Sequence, residues 1–384
     1  MKIPGYTSTG SKRPEVLFGC PDADPRAMLR AEGCRLWDEF GTEYVDMMMA
    51  LGAVALGYGH PAVVAAAVQA LRDGAVGSLA PKLEAEVAER LVTVVPGAEA
   101  VRFLKTGAEA AAAAVRVARV HTARDNVITC GYHGWLDWCQ DETGVPSGVK
   151  QLRCTIPFND VAALGVAVAR HSPVAAIVIE PVVDGPPTVE WLCALRETAT
   201  ASGAVLIFDE VKTAFRLAVG GAAEYYGIVP DLTVVGKALG NGLPIAAVCG
   251  PLDLMSASDH TWISSTLATE YVSLAAAREV LRVFEQTDVI GHLRYVGSML
   301  VTGLERLAAG YPSTIAGVCA VPEMCYLKFR NDELSGAVAL QAVRLGLLWR
   351  RTAYNFVSLA HTEEVVRDVL HRLEAALQQV EATC

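Results

Sequence analysis

No stretch of this 384-residue chain is apolar for long enough to cross a bilayer; its longest apolar runs, such as Val174–Ile179, have the length of a buried strand. Residues 1–14 are polar and carry Lys12 and Arg13 with no apolar run behind them, which is not the pattern of a secretory signal. There is no Asn-x-Ser/Thr site and no Cys-x-x-Cys pair, and the ten cysteines are scattered along the chain. Together these absences point to reduced, buried thiols in a cytoplasmic protein with no membrane partner. Basic residues are in deficit: 32 Lys and Arg against 42 Asp and Glu leave a net charge of -10, which argues against a nucleic-acid binder. A local site can still override that balance and take an anionic cofactor. Neither a Gly-x-Gly-x-x-Gly turn after a first strand nor a Gly-x4-Gly-Lys-Ser/Thr loop occurs, which disfavours a plain nucleotide-binding protein. Internal repeats, low-complexity linkers and a disordered composition are absent as well.

What remains is a chain that is 52% hydrophobic and 19% charged, enough for a large core and more than one domain. Residues 127–130, 175–179, 204–208, 232–235 and 245–249 read as buried strands, separated by segments of helical period such as 109–120 and 188–202. Continuous apolar strands alternating with helices imply an α/β fold with a mostly parallel sheet covered on both faces. Residues 35–46 read as a hairpin, 324–329 as a strand, and the segment from Thr362 as an amphipathic helix. The expected organisation is a large domain over 46–275 and a smaller one built from both ends, 1–45 and 276–384.

Four strand ends carry chemistry. Thr106-Gly107-Ala108 opens an Ala-rich helix, where free N–H groups and a hydroxyl make an anion site. Tyr132, in Gly131-Tyr132-His133-Gly134-Trp135, can offer a flat face to a planar ligand. Asp209 and Glu210 end a buried apolar run, and a carboxylate there needs a partner such as a protonated ring nitrogen. Lys237 follows another apolar run among Gly236, Gly240 and Gly242, where a lysine of lowered pKa can form an imine. Each has an ordinary reading by itself: a helix cap, a packed aromatic, an ion pair, a solvated lysine. Cys130, His133 and Cys139 fit no structural zinc spacing, so no metal is expected. Together, in this order, the four supply a phosphate cradle, a ring-stacking aromatic, an acid for a pyridinium nitrogen and an imine lysine, the needs of pyridoxal 5′-phosphate.

On these motifs the chain resembles the class III aminotransferases of pyridoxal-phosphate fold type I, closest to the group similar to glutamate-1-semialdehyde aminomutase. The resemblance spans residues 30–275 and resumes over 354–362. It implies a large domain with a seven-stranded, mostly parallel sheet and a smaller α/β domain from both chain ends. Lys237 would form the Schiff base and shuttle the proton, and Asp209 would hold the pyridine nitrogen protonated. Val211 would pack under the ring, with Tyr132 on its other face. Gly107 and Ala108 would give N–H groups to the phosphate, and Thr106 a hydroxyl. Glu180 would stand beside the cofactor. Thr266 would reach the cofactor of a neighbouring subunit, which implies a homodimer.

The chain also departs from the family pattern. Ala108 stands where Ser or Thr is common, and Ala214 where Gly is usual. Thr269-Glu270-Tyr271 replaces a Gly-containing turn. Lys212 takes a position where a glutamine contacts the cofactor's O3′; it either places a cation there or points away to solvent. No arginine for a substrate carboxylate is assignable among Arg30, Arg35, Arg216, Arg350 and Arg351. The implied activity is amino transfer between an amino donor and a carbonyl substrate, in a specialised biosynthetic role. An intramolecular aminomutase or an amino-acid racemase on the same scaffold is the alternative. A non-catalytic relative is disfavoured because both Lys237 and Asp209 are present.

Overall fold

The computed structural model describes residues 2–382. By contact density the chain divides into two compact units, one of Ala62–Thr287 and one of the segments up to Pro61 and from Asp288 onward.

The first unit holds a seven-stranded sheet. Across it run Ala100–Leu104, Ala246–Gly250, Leu232–Val235, Val205–Asp209, Val174–Ile179, Asn126–Cys130 and Arg153–Thr155. The last five are mutually parallel, while Ala246–Gly250 runs antiparallel to both its neighbours. The sheet is therefore mostly parallel, as expected, and the five expected strands lie within a residue of their observed positions. Alternate residues of these strands face opposite layers. Val127, Ala176, Val178, Val205, Ile207 and Val234 pack on the Ala-rich helix Gly107–Thr122. Ile128, Ile177, Ile179, Leu206 and Phe208 pack on Val161–His171 and Val189–Ser202. Two covered faces explain why the strands are apolar at every position rather than alternating.

The other unit joins the chain ends. The hairpin Arg35–Asp38 and Glu43–Asp46 turns on Asp38, whose Oδ1 accepts the N–H groups of Phe40 (2.9 Å) and Thr42 (2.8 Å). Glu43–Asp46 then pairs in parallel with Leu347–Leu348, so that one four-stranded sheet draws on both termini. A second sheet joins Ile315–Cys319, Met324–Phe329 and Asn355–Phe356. Thr362 caps the terminal helix Glu363–Glu381.

Both borders fall later than 45/46 and 275/276. Past Asp46 the chain stays tied to the C-terminal segment: the Met47 carbonyl accepts the Phe356 N–H and the Ala55 carbonyl the Leu359 N–H at 2.8 Å. The helix Tyr271–Gln286 runs unbroken past 276 and packs on Lys82–Val94 of the large unit. No helix among the described residues is long and apolar enough to cross a membrane.

Candidate active site

In a parallel sheet the loops after the strands gather at one edge. The strand Val205–Asp209 is buried throughout and ends in an aspartate only 4% exposed. Such a group needs donors. Asp209 Oδ2 lies 2.8 Å from His133 Nδ1, and its Oδ1 accepts the Val211 N–H at 3.2 Å. An ionised Asp209 can only accept, which puts the proton on His133 Nδ1. His133 is equally buried, and its ring stacks near that of Trp138, with centroids 6.0 Å apart and planes 24° off parallel. Its Nε2 is buried and has no hydrogen-bond partner among the described residues.

The next residue, Glu210, is fully buried and works differently. It accepts the Thr213 hydroxyl and the N–H groups of Ala222 (2.8 Å) and Ala223 (2.7 Å), tying the strand end to the helix Gly221–Tyr226. Burial pushes its pKa up to about 7, against the pull of those three donors.

One strand over, Lys237 follows Leu232–Val235 in the left-handed region, at φ 45°. A non-glycine residue held there costs on the order of 1–3 kcal/mol, and such outliers gather at functional sites. Burial lowers the pKa of its amine; Glu180 and Asp209 oppose that, while Lys212 and Arg216 reinforce it. No hydrogen bond or ion pair engages the amine among the described residues.

Glu180 begins the loop after Val174–Ile179. Its Oε2 accepts the Tyr132 N–H at 2.9 Å, and its Oε1 lies 2.7 Å from Lys212 Nζ. The Lys212 and Glu180 side chains are 9% and 12% exposed. Lys212 therefore turns inward, and the reading that sends it to solvent is corrected: a neighbouring carboxylate holds it.

Thr106 caps the helix Gly107–Thr122 in a reciprocal box. Its Oγ1 accepts the Glu109 N–H at 3.2 Å, and Glu109 Oε2 accepts the Thr106 N–H at 2.9 Å. The Thr106 hydroxyl also donates to Glu109, at 3.1 Å, so it is spent within the cap rather than turned toward an anion. The N–H groups of Gly107 and Ala108 take no acceptor among the described residues. Val211 lies between this helix start and the Lys237 strand: a Cβ on Gly107 would come 2.9 Å from its Cγ2, and one on Gly236 3.7 Å from its Cγ1. Gly134, at φ 104°, brings the His133 loop against Ala108, where a Cβ would come 2.4 Å from the Ala108 methyl. That close approach leaves little room for a larger side chain at 108.

The structure thus gathers Gly107, Ala108, Asp209, Val211, Glu180, Lys212 and Lys237 at one sheet edge. Tyr132 is 66% exposed there, and Thr266 stands on an exposed loop with no side-chain hydrogen bond among the described residues. His133, the buried partner of Asp209, is the neighbour that sequence reasoning missed; its place in a strand-end loop between Gly131 and Gly134 was the available signal. At Thr213-Ala214-Phe215 the positive φ falls on Phe215 (57°) and not on Ala214, so a Cβ at 214 meets no backbone conflict. In place of the glycine turn, Glu270 caps Tyr271–Gln286 and pairs with Lys105 at 2.7 Å. Of the arginines considered, Arg35 is paired with Glu43, Arg351 with Asp332, and Arg216 is fully buried. No cluster of three or more His, Cys, Asp or Glu side chains suited to a metal occurs among the described residues.

The family model described as aminotransferase class III matches residues 21–380. A glutamate-1-semialdehyde 2,1-aminomutase of Rhodopirellula baltica is 35% identical over 332 residues, covering 80% of this chain and 76% of that protein. Another, of Thermomicrobium roseum, is 33% identical over 408 residues, 97% of this chain and 95% of that protein. Among solved structures, the PLP internal aldimine form of the FumI protein of Sphingopyxis sp. MTA144 superposes with a TM-score of 0.93 at 27% identity, over 99% of this chain and 94% of that one. The fold is that of pyridoxal-phosphate enzymes of fold type I. The chain belongs to the class III aminotransferase family, whose members are enzymes acting with pyridoxal 5′-phosphate. The donor set fits that cofactor: two unengaged N–H groups at a helix start for a phosphate, a buried carboxylate for a protonated ring nitrogen, and an amine without a counter-ion for an aldehyde.

Proposed function

We propose that the chain transfers an amino group from an amino donor to a carbonyl acceptor, with Lys237 as the amine that carries pyridoxal 5′-phosphate. The observation that carries this reading is the Lys237 amine, free of any ion pair among the described residues, just past the strand next to the buried Asp209–His133 couple. When bound, the cofactor supplies an electron sink for the charge left as a proton leaves the amino-bearing carbon. The chain's own residues do the rest. Asp209 keeps a negative charge at the floor of the site, and His133 fixes its orientation. Gly107 and Ala108 offer backbone N–H groups to the phosphate, with the first-turn dipole behind them. Val211 fills the space between helix start and lysine strand and gives the ring an apolar seat. Lys237 Nζ, whose burial disfavours the charged form, takes and returns the proton. The inward ammonium of Lys212 faces the same site as a fixed positive charge.

A second reading keeps the nitrogen within one molecule. It is favoured by the aminomutase names of relatives that span nearly the whole chain. Both readings call for the same residues, so the test is donor dependence. The purified protein with pyridoxal 5′-phosphate is mixed with a panel of amines and no acceptor. Bleaching of its visible band, with release of a keto product, supports intermolecular transfer. A band that persists while a single amino compound isomerises overturns it in favour of the aminomutase. The working form we propose is a cytoplasmic homodimer in which the exposed Thr266 serves the neighbouring subunit's cofactor. Sedimentation of the full chain tests the dimer.

A further inference from the structure

The site holds two lysines and a carboxylate, Glu180, that is paired with Lys212 and whose charge also acts on Lys237. Ile179 is level with Phe208 and Asp209 with Val234, so Glu180, the Asp209–Lys212 segment and Lys237 leave three neighbouring strands at the same edge. Lys212 comes from the middle of the three. Each oxygen of the Glu180 carboxylate has a partner other than Lys237: Oε2 accepts the Tyr132 N–H, and Oε1 lies 2.7 Å from Lys212 in a pair that is nearly buried. A buried ion pair is a weak source of net stability, because desolvating both charges offsets their attraction. Its presence beside an unpaired amine calls for another explanation.

We infer that Lys212 is a positioning residue: it holds the Glu180 carboxylate away from Lys237 and so keeps the Lys237 amine free to attack a carbonyl. The inference rests on reading Lys237 as the cofactor-bearing amine. An amine attacks only when unprotonated, and an adjacent carboxylate would favour its ammonium form. The charged groups facing Lys237 are Glu180, from the loop after Val174–Ile179, and Asp209, Lys212 and Arg216, from the segment after Val205–Asp209. Asp209 is occupied by His133. Glu180 is thus the carboxylate whose freedom decides the state of the amine. In the capture step the Lys237 nitrogen bonds to the aldehyde carbon, gives up its two protons, and the aldehyde oxygen leaves as water. No oxidant or further reactant is required.

The test uses full-length protein freed of cofactor. Pyridoxal 5′-phosphate is added and the rate constant for the rise of visible absorbance is followed over pH, from about 6 to about 10, to bracket the amine's titration. The pH midpoint is the readout. Loss of a cation also weakens attraction for the phosphate, but that scales the rate without moving the midpoint. Lys212→Gln is expected to raise the midpoint by about one pH unit, with roughly tenfold slower capture at neutral pH. Glu180→Gln is expected to lower it, and the double variant to return it to within about 0.3 unit of wild type. Lys212→Arg keeps the pair and the wild-type midpoint. A merely structural lysine would lower the melting temperature of Lys212→Gln and leave the midpoint where it was; that result overturns the inference, as does an upward shift that survives in the double variant. Should Lys212→Gln not fold, Glu180→Gln decides alone, since an unmoved midpoint there overturns the inference equally. A wild-type chain that captures no pyridoxal phosphate overturns the reading of Lys237 itself, and this inference with it.

Discussion

Glu210 and Asp209 are adjacent carboxylates with opposite environments, and Glu210 makes the sharper prediction about pH. Its folded pKa stands at about 7, against an ordinary 4.5, because burial outweighs three donors. Between those values the folded chain keeps a proton that the unfolded chain has released. The stability it contributes is therefore complete below about 4.5 and is lost as pH rises through about 7. With each pH unit of separation worth about 1.4 kcal/mol, the loss between about pH 5 and 8 comes to about 2–3 kcal/mol. Glu210→Gln cannot titrate. It carries one acceptor oxygen in place of two, so either the Ala222 or the Ala223 N–H is left facing an amide NH2, at a cost of about 1–3 kcal/mol that does not depend on pH. The variant's deficit relative to wild type should therefore be largest near pH 5 and fall by about 2–3 kcal/mol toward pH 8, closing or changing sign there. At about 2–4 °C per kcal/mol for a unit of this size, that is a convergence of roughly 5–10 °C in melting temperature. The assay is thermal unfolding of both proteins in matched buffers across that range, where every other titrating group cancels in the difference. A gap that stays constant would mean that the three donors hold Glu210 ionised throughout, and the argument from burial would fail.

Other expectations follow from single contacts. Gly107→Ala places a methyl 2.9 Å from the Val211 Cγ2; overpacking of about 1–3 kcal/mol and weaker binding of pyridoxal phosphate should appear together in melting and absorbance titrations. His133→Ala takes a charge-assisted bond from a buried carboxylate, so about 1.5–3 kcal/mol of stability and a matching share of cofactor affinity should go, and an unchanged affinity would deny His133 any part in orienting Asp209. Lys105→Met strands Glu270, a group for which burial, acting to raise its pKa, is outweighed by donation from Lys105 and Ser273, leaving it below its ordinary value. The stability Glu270 gives is present above its unfolded pKa and lost as pH falls through the lower folded one, so the variant should lose stability at neutral pH and show a weaker acid-side decline.

Much of the large unit was legible because its strands are buried on both faces. Asn126–Cys130, Val174–Ile179 and Val205–Asp209 are apolar along almost their whole length, and a run of that kind announces both its extent and the loop that follows. Lys237 and Asp209 stood out for the same reason: each is a charge at the end of an apolar run. What stayed hidden depends on partners far away in the chain. His133 and Asp209 are 76 residues apart, and no local spacing links them. Lys212 turns inward because of Glu180, on another strand, so its neighbours in sequence say nothing of its direction. The unit limits at Pro61 and Thr287 depend on hydrogen bonds distant in sequence, such as the Phe356 N–H to the Met47 carbonyl and the Leu359 N–H to the Ala55 carbonyl, and on the packing of Tyr271–Gln286 against Lys82–Val94. Thr106 shows a local motif with two readings: Thr-x-x-Glu is a capping box, and the box consumes the hydroxyl that a phosphate would otherwise receive.

The central claim is that Lys237, and neither of the two other inward lysines, carries the cofactor. The direct measurement is to reduce the protein loaded with pyridoxal 5′-phosphate with borohydride, digest it, and map the pyridoxyl-modified peptide by mass spectrometry. The modification should fall on Lys237 and vanish, with the visible band, in Lys237→Ala. A modification on Lys105 or Lys212, or a visible band that survives Lys237→Ala, would contradict the account.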